Sequence, residues 1–157
     1  MTPTRSNPAP IRAVTGHVGI NVTDLARSID FYQAVFAVEV IASGKDSGRP
    51  WAFLGREGAL ILTLWQQSEG RFRPHAPGLH HLSFEVPTLA EVESSVRLLN
   101  SLEIPMLYES ILPHAEGSSS GGVFFADPDG TRLEIFTNDG VQHLSALEHG
   151  EPSCGFF

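Results

Sequence analysis

A single cysteine, Cys154, is all the thiol this 157-residue chain has. It can therefore form no internal disulfide and no cysteine-rich metal cage. Lysine is as scarce: Lys45 stands alone, and 10 Lys plus Arg face 18 Asp plus Glu, a formal charge of −8. A protein that grips a phosphate backbone needs a basic face, so nucleic acid is not an expected partner. No apolar run approaches the roughly 20 residues of a membrane span. The opening stretch, Met1 to Pro10, is polar and proline-bearing and lacks the apolar block of a secretory signal. What the chain does have is 41% hydrophobic residues against 18% charged, enough to bury a core. These features predict an acidic, cytoplasmic domain without membrane association.

The chain divides into three by composition. Residues 1–13, rich in Pro, Ser and Thr, read as a flexible lead-in, and residues 138–157 as a tail without regular structure. The domain proper spans 14–137, and it repeats itself. Gly16-His17-Val18-Gly19-Ile20-Asn21-Val22 returns 64 positions later as His80-His81-Leu82-Ser83-Phe84-Glu85-Val86. Both copies alternate apolar and polar residues, the period of a strand with one face on a core. Each runs into an amphipathic helix, striped by Leu25, Ile29, Tyr32 and Phe36 in the first copy. Leu89, Val92, Val96 and Leu99 stripe the second, which Thr88 and Glu91 open as a capping box. Strand candidates follow at 38–43, 50–55 and 59–66, then at 106–110, 121–126 and 132–137. Gly55-Arg56-Glu57-Gly58 and Asp127-Pro128-Asp129-Gly130 supply turns. The expected fold class is α+β: paired βαβββ modules, about 14–67 and 78–137, forming a curved mixed sheet around a cup.

Strand parity places His17, Gly19 and Asn21 on one face, and His81, Ser83 and Glu85 on the equivalent face of the repeat. Arg132, Glu134 and Phe136 share a face of the last strand. Two histidines at equivalent repeat positions and a strand glutamate can thus point into one cavity, a donor set suited to a divalent first-row metal. Singly, each residue has a plainer reading, as a hydrogen-bonded core histidine or a solvated carboxylate. Repeat symmetry and shared parity raise the joint site to an even match for these plainer readings.

These motifs resemble a known family. Gly16 to Leu25, followed by Ser28-Ile29-Asp30-Phe31-Tyr32, resembles the opening module of the vicinal oxygen chelate superfamily. That group includes glyoxalase I, extradiol dioxygenases, fosfomycin-resistance thiol transferases and bleomycin-binding proteins. Gly78-Leu79-His80-His81-Leu82-Ser83-Phe84 is similar to its second opening, and Phe125 to Glu134 to its closing hairpin. The resemblance implies His17, His81 and Glu134 as metal ligands, with His80 one position early and turned by parity toward the helices. It also implies a substrate whose two neighbouring oxygens chelate the ion, which acts as a Lewis acid.

Departures from the family pattern narrow the reading. Where four-ligand glyoxalases carry a first-module carboxylate, the expected register puts Leu62, which cannot ligate. Phe124 stands where the dioxygenase and thiol-transferase branches often place a Tyr. His114 is the nearest counterpart of the upstream His of extradiol enzymes, and with Arg132 it is a catalytic candidate. Substrate-pocket candidates are Asn21, Trp51, Phe53, Leu62, Ser83 and Phe124. Leu60, Leu62 and Leu64 also read simply as core. Arg132 reads first as the partner of a surface carboxylate, and second as a contact for an anionic substrate group. Gly117-Ser118-Ser119-Ser120-Gly121-Gly122 has no Lys and no phosphate-loop spacing, and reads as a mobile rim. The favoured function is a dioxygenase-like enzyme with Fe2+, the alternatives being a glyoxalase-type lyase or isomerase, or a thiol transferase, with Zn2+, Ni2+ or Mn2+. A metal-free antibiotic-binding protein is the reading from another class. A homodimer is expected, with the Phe156-Phe157 end as a second, weaker reason.

Overall fold

The computed structural model describes residues 12–146 together with Ser153. The expectations for residues 1–11 and for the Cys154–Phe157 end lie outside the described residues. The first module is β1 (Val18–Val22), α1 (Leu25–Phe36), β2 (Glu39–Asp46), β3 (Arg49–Arg56) and β4 (Ala59–Gln66). The second is β5 (Leu82–Glu85), α2 (Leu89–Ser101), β6 (Leu112–Pro113), β7 (Gly121–Ala126) and β8 (Arg132–Thr137).

Local chemistry sets these boundaries. Asp24 and Thr88, both in extended conformation, cap α1 and α2 by accepting the backbone N–H of Arg27 and Glu91. Thr88 Oγ1 also meets Glu91 Oε2 at 2.8 Å, so the capping pair forms, although through side chains rather than the Thr88 N–H. Ser47-Gly48 and Glu57-Gly58 each carry two positive φ angles, the mirror-image turn that joins twisted strands in two residues.

Each module closes its own four-stranded mixed sheet, ordered β1-β4-β3-β2 and β5-β8-β7-β6. The parallel pairs are β1 with β4 and β5 with β8. The paired modules are as expected, but as two sheets rather than one. Their helix-side faces meet in one core. Val22, Leu54, Leu62 and Leu64 from the first sheet join Val123, Phe125, Leu133 and Ile135 from the second. Phe36 of α1 lies on Phe84 with ring centroids 4.1 Å apart, so the modules are packed together through aromatic rings. Polar contacts reinforce the seam. Tyr32 donates to Asp127 at 3.0 Å, and Asp129 receives Thr23 N–H at 2.8 Å and Arg27 at 2.6 Å.

One strand expectation fails. Residues 106–110 make no ladder; Met106 forms an isolated bridge to Phe125, and the strand next to β7 is the two-residue β6. Pro105 removes a donor at the start of that segment, and only the Leu107 N–H reaches Phe124 O, at 2.7 Å.

Candidate metal centre

The faces turned away from the helices carry the chemistry. On the second sheet, β5 and β7 flank β8 so that Ser83 and Phe124 both lie beside Glu134. Glu134 is only 2% exposed, and a buried carboxylate is costly unless donors surround it. Ser83 Oγ donates to Oε2. His114 Nε2 stands 2.6 Å from Oε1, and His81 Nε2 lies 3.5 Å from Oε2. Burial pushes the His81 pKa below its ordinary value, against the opposing pull of Glu134. The ring is therefore neutral at neutral pH, so the 3.5 Å contact is not a charge pair there, and the ring keeps a lone pair to give.

His80 is not turned to the helices. It precedes β5, where strand alternation does not yet apply, and its Nδ1 lies 2.8 Å from His81 Nδ1. A proton on His81 Nδ1 shared with His80 leaves His81 Nε2 as the donor atom facing Glu134, the outer partner that ligating histidines commonly have. Arg132 shares the Glu134 face, and its Nη1 is 3.5 Å from His80 Nε2.

The Gly-Ser segment, expected as a mobile rim, is tied into the edge of the second sheet. It closes a hairpin between β6 and β7, in which His114 N–H donates to Ser120 O at 2.8 Å and Ser120 Oγ meets His114 Nδ1 at 2.9 Å. Residues after β8 fold back over it: Val141 N–H reaches Ser119 O at 3.2 Å, and Ser153 N–H reaches His114 O at 3.2 Å. Sequence spacing gave no sign of Ser120. Tyr108 was also missed. Its ring stands edge-on to Phe124 at 5.7 Å, bringing a phenol to the face where Phe124 has none.

On the first sheet, Gly19 pairs with Thr63 as Ser83 pairs with Glu134, so Thr63 is the repeat counterpart of Glu134. Leu62 is not. It pairs with Val18, is 1% exposed, and packs in the core with Leu64. The cause is a bulge. Leu54 pairs with Leu62 but Gly55 with Leu60, so Ile61 is an extra residue that shifts parity counted from the turn. The open face of this sheet carries Trp51, Phe53 and Trp65, with ring centroids 4.7 to 6.1 Å apart. Trp65 Nε1 donates to Thr63 Oγ1 at 3.1 Å, and Asn21 accepts from Gln67 at 2.7 Å.

Two four-stranded modules with this strand order, over residues that match a single family profile from 15 to 135, decide the ancestry. The chain belongs to the Glyoxalase/Bleomycin resistance protein/Dioxygenase superfamily. Among curated relatives of this vicinal oxygen chelate protein, the uncharacterized protein YaeR of Escherichia coli (strain K12) is 29% identical over 127 residues, 76% of this chain and 92% of YaeR. A trivalent organoarsenical cleaving enzyme of Bacillus sp. (strain MD1) is 28% identical over 120 residues, 76% of this chain and 70% of that one. A glyoxylase/bleomycin resistance protein/dioxygenase domain from Frankia sp. EAN1pec superposes with a TM-score of 0.68 at 22% identity, covering 82% of this chain and 99% of that one. The fosfomycin resistance protein FosX of Listeria monocytogenes, complexed with Mn(II) and sulfate, gives 0.61 at 20% identity, over 86% and 100% of the two chains.

The three expected ligands do not converge within one vicinal oxygen chelate chain. His17 is exposed just ahead of β1, and no group of three His, Cys, Asp or Glu among the described residues is placed to hold a metal ion. What does converge is His81 and His114, both beside the buried Glu134 carboxylate. An imidazole and a carboxylate are donors that divalent first-row ions accept, so the residue types of His81 and Glu134 fit such an ion, one donor short of the expected set.

Proposed function

We propose that this protein is a metal-dependent enzyme acting on a small molecule with two neighbouring oxygens, its ion held by His17, His81 and Glu134. The observation that carries the reading is Glu134, a carboxylate buried beside a neutral imidazole on the open face of a sheet. A divalent ion bound there, Fe2+ in preference to Zn2+, Ni2+ or Mn2+, supplies Lewis-acid chemistry and leaves positions for two substrate oxygens. FosX carries Mn(II) in the same fold, which supports a divalent ion without choosing it.

The chain's own residues do the remaining work. His81 stays neutral and gives its Nε2 lone pair, with His80 taking up the other nitrogen. Ser83 fixes the orientation of the Glu134 carboxylate. His114 Nε2 is placed to hold and move a proton beside that carboxylate, and Arg132 offers a cation on the same face. Trp51, Phe53 and Trp65 form a wall fitted to an aromatic or apolar substrate body.

A second copy of the chain is part of this reading. Both β1 and β5 are edge strands, and exposed His17 lies at the start of one of them. A homodimer that brings His17 of one copy to His81 and Glu134 of the other completes the ligand set. An arsenical substrate does not carry over from the Bacillus relative. Trivalent arsenic is thiophilic, and Cys154 is the only thiol here.

The test is elemental analysis of purified protein joined to oxygen uptake with a panel of catechols. Bound iron and uptake are expected. Zinc, nickel or manganese without uptake would move the protein to the lyase, isomerase or thiol-transferase chemistries. Protein that binds no divalent ion would contradict the proposal and favour a metal-free binding protein, a reading to which the aromatic wall also lends itself.

A further inference from the structure

The two modules repeat, but the space beside each helix is not filled alike. On α1, Phe31 and Tyr32 plug the seam: their rings meet edge-on at 5.2 Å, and Phe31 lies 6.5 Å from Phe125. At the equivalent positions of the repeat, α2 carries Ser95 and Val96. The turns differ in the same sense. In the second module residues 127–131 span the gap from Ala126 to Arg132, and there Asp127 takes the Tyr32 phenol and Asp129 the Arg27 guanidinium. The first module crosses from Arg56 to Ala59 with Glu57-Gly58 alone. A shorter turn and two smaller side chains leave a cavity of about 280 Å³ between the end of α1, α2 and β5.

The wall of this cavity is apolar: Phe36, Val38, Ile61, Phe84 and Ile135 line it, with Ser95 at one side. The Ser95 hydroxyl already donates to Glu91 O at 2.9 Å, so it needs no partner from a ligand. Ile61 is the extra residue of the β4 bulge, an irregularity of the kind that re-aims a side chain toward a site. Two charged residues stand at the rim. Glu85 accepts from Asn138 Nδ2 at 2.7 Å, whereas the Arg56 guanidinium has no hydrogen-bond or ion-pair partner among the described residues. An apolar cavity with one convergent cation suits a molecule with an apolar body and a single anionic end. We propose that this cavity is a second binding site, taking an apolar monocarboxylate of about ten non-hydrogen atoms with its carboxylate on Arg56. The volume sets that size, at roughly 30 Å³ per atom. The site is separate from the candidate metal centre. On β5 and β8, Ser83 and Glu134 face that centre, while their neighbours Phe84 and Ile135 back the cavity.

The experiment is calorimetric titration of the full chain with octanoate and with 1-octanol, a chelator being present so that no metal ion takes the carboxylate. Octanoate should bind once per chain with a Kd of about 1 mM or tighter. Arg56→Met should weaken octanoate about tenfold or more and leave 1-octanol unchanged. Ser95→Phe, which gives α2 the ring that α1 has at Phe31, should abolish binding of both and raise Tm. No binding of octanoate by wild type would overturn the proposal, and so would an Arg56→Met affinity equal to wild type. Octanoate binding unchanged in folded Ser95→Phe would place the ligand elsewhere and overturn it as well. Should that variant not fold, the methyl signals of Ile61 and Ile135 in wild type answer the same question: they should shift on octanoate addition, and unmoved signals would overturn the proposal. None of these measurements involves the metal, so this site and the proposed function fail separately.

Discussion

At Glu134 a carboxylate is tolerated at 2% exposure because Ser83 donates to one oxygen and His114 stands at the other. At Leu62 the surroundings are Val18, Leu54 and core apolar side chains, and nothing there can donate. Leu62→Glu should therefore destabilise the protein by about 3 kcal/mol. A melting scan should show no recovery with added divalent ion, whereas a metal-dependent rise would return Leu62 to the site. Thr63→Glu, on the open face beside Gly19, should melt higher than Leu62→Glu. These two residues show what was legible. Glu134 could be placed by alternation because β8 runs straight from its turn, while the same count failed on β4 because a bulge leaves no mark in composition. His80 was misread because alternation was extended into a segment that is not yet strand. Ser120 and Tyr108 reach the site through a hairpin and a loop, and no local period encodes such a return.

Helix α1 shows how an element can hold two modules together. Its Tyr32 is fully buried and donates to Asp127, which also accepts the N–H groups of Asp129 at 3.0 Å and Thr131 at 2.7 Å. Burial and the neighbouring carboxylates raise the Tyr32 pKa, so the phenol remains a donor throughout the accessible range. Tyr32→Phe removes that donor and should cost about 1–3 kcal/mol, a fall in Tm of roughly 3–9 °C. An unchanged Tm would mean that the bond adds nothing. Asp127 adds a pH dependence. Burial raises its folded-state pKa above the ordinary carboxylate value, with its hydrogen bonds opposing. The folded state then binds the proton more tightly than the unfolded one, so this group's contribution to stability falls as pH rises from the usual aspartate range through the raised value. Losing the Tyr32 bond should extend that decline to higher pH, and denaturant melts across the acid range would show it. The helices themselves were legible from their stripes and caps. The lack of a ladder at 106–110 was not, because apolar content there does not reveal that a single bridge takes its place.

For the molecule as a whole, the two-module order was written in the repeat, but its consequence for the site was not. Alternation says that His17 and His81 face equivalent sides of their own sheets; it does not say that two separate sheets bring those sides together. In one chain they do not form a three-donor group among the described residues. Light scattering should give a particle of two 17.0 kDa chains, and a monomer at micromolar concentration would remove the proposed completion of the site. Mixing offers a sharper check. His17→Ala and Glu134→Ala variants, each deficient alone, should regain one metal site per hybrid dimer when unfolded and refolded together. No recovery would assign all ligands to one chain.

The central claim is that Glu134 anchors a divalent ion, and calorimetric titration of metal-free protein reads it directly. Wild-type protein should bind one ion per chain, and Glu134→Gln, which keeps the shape but loses the charge, should weaken binding by more than about 100-fold. Equal affinity in the two proteins, or no binding by wild type, would contradict the account.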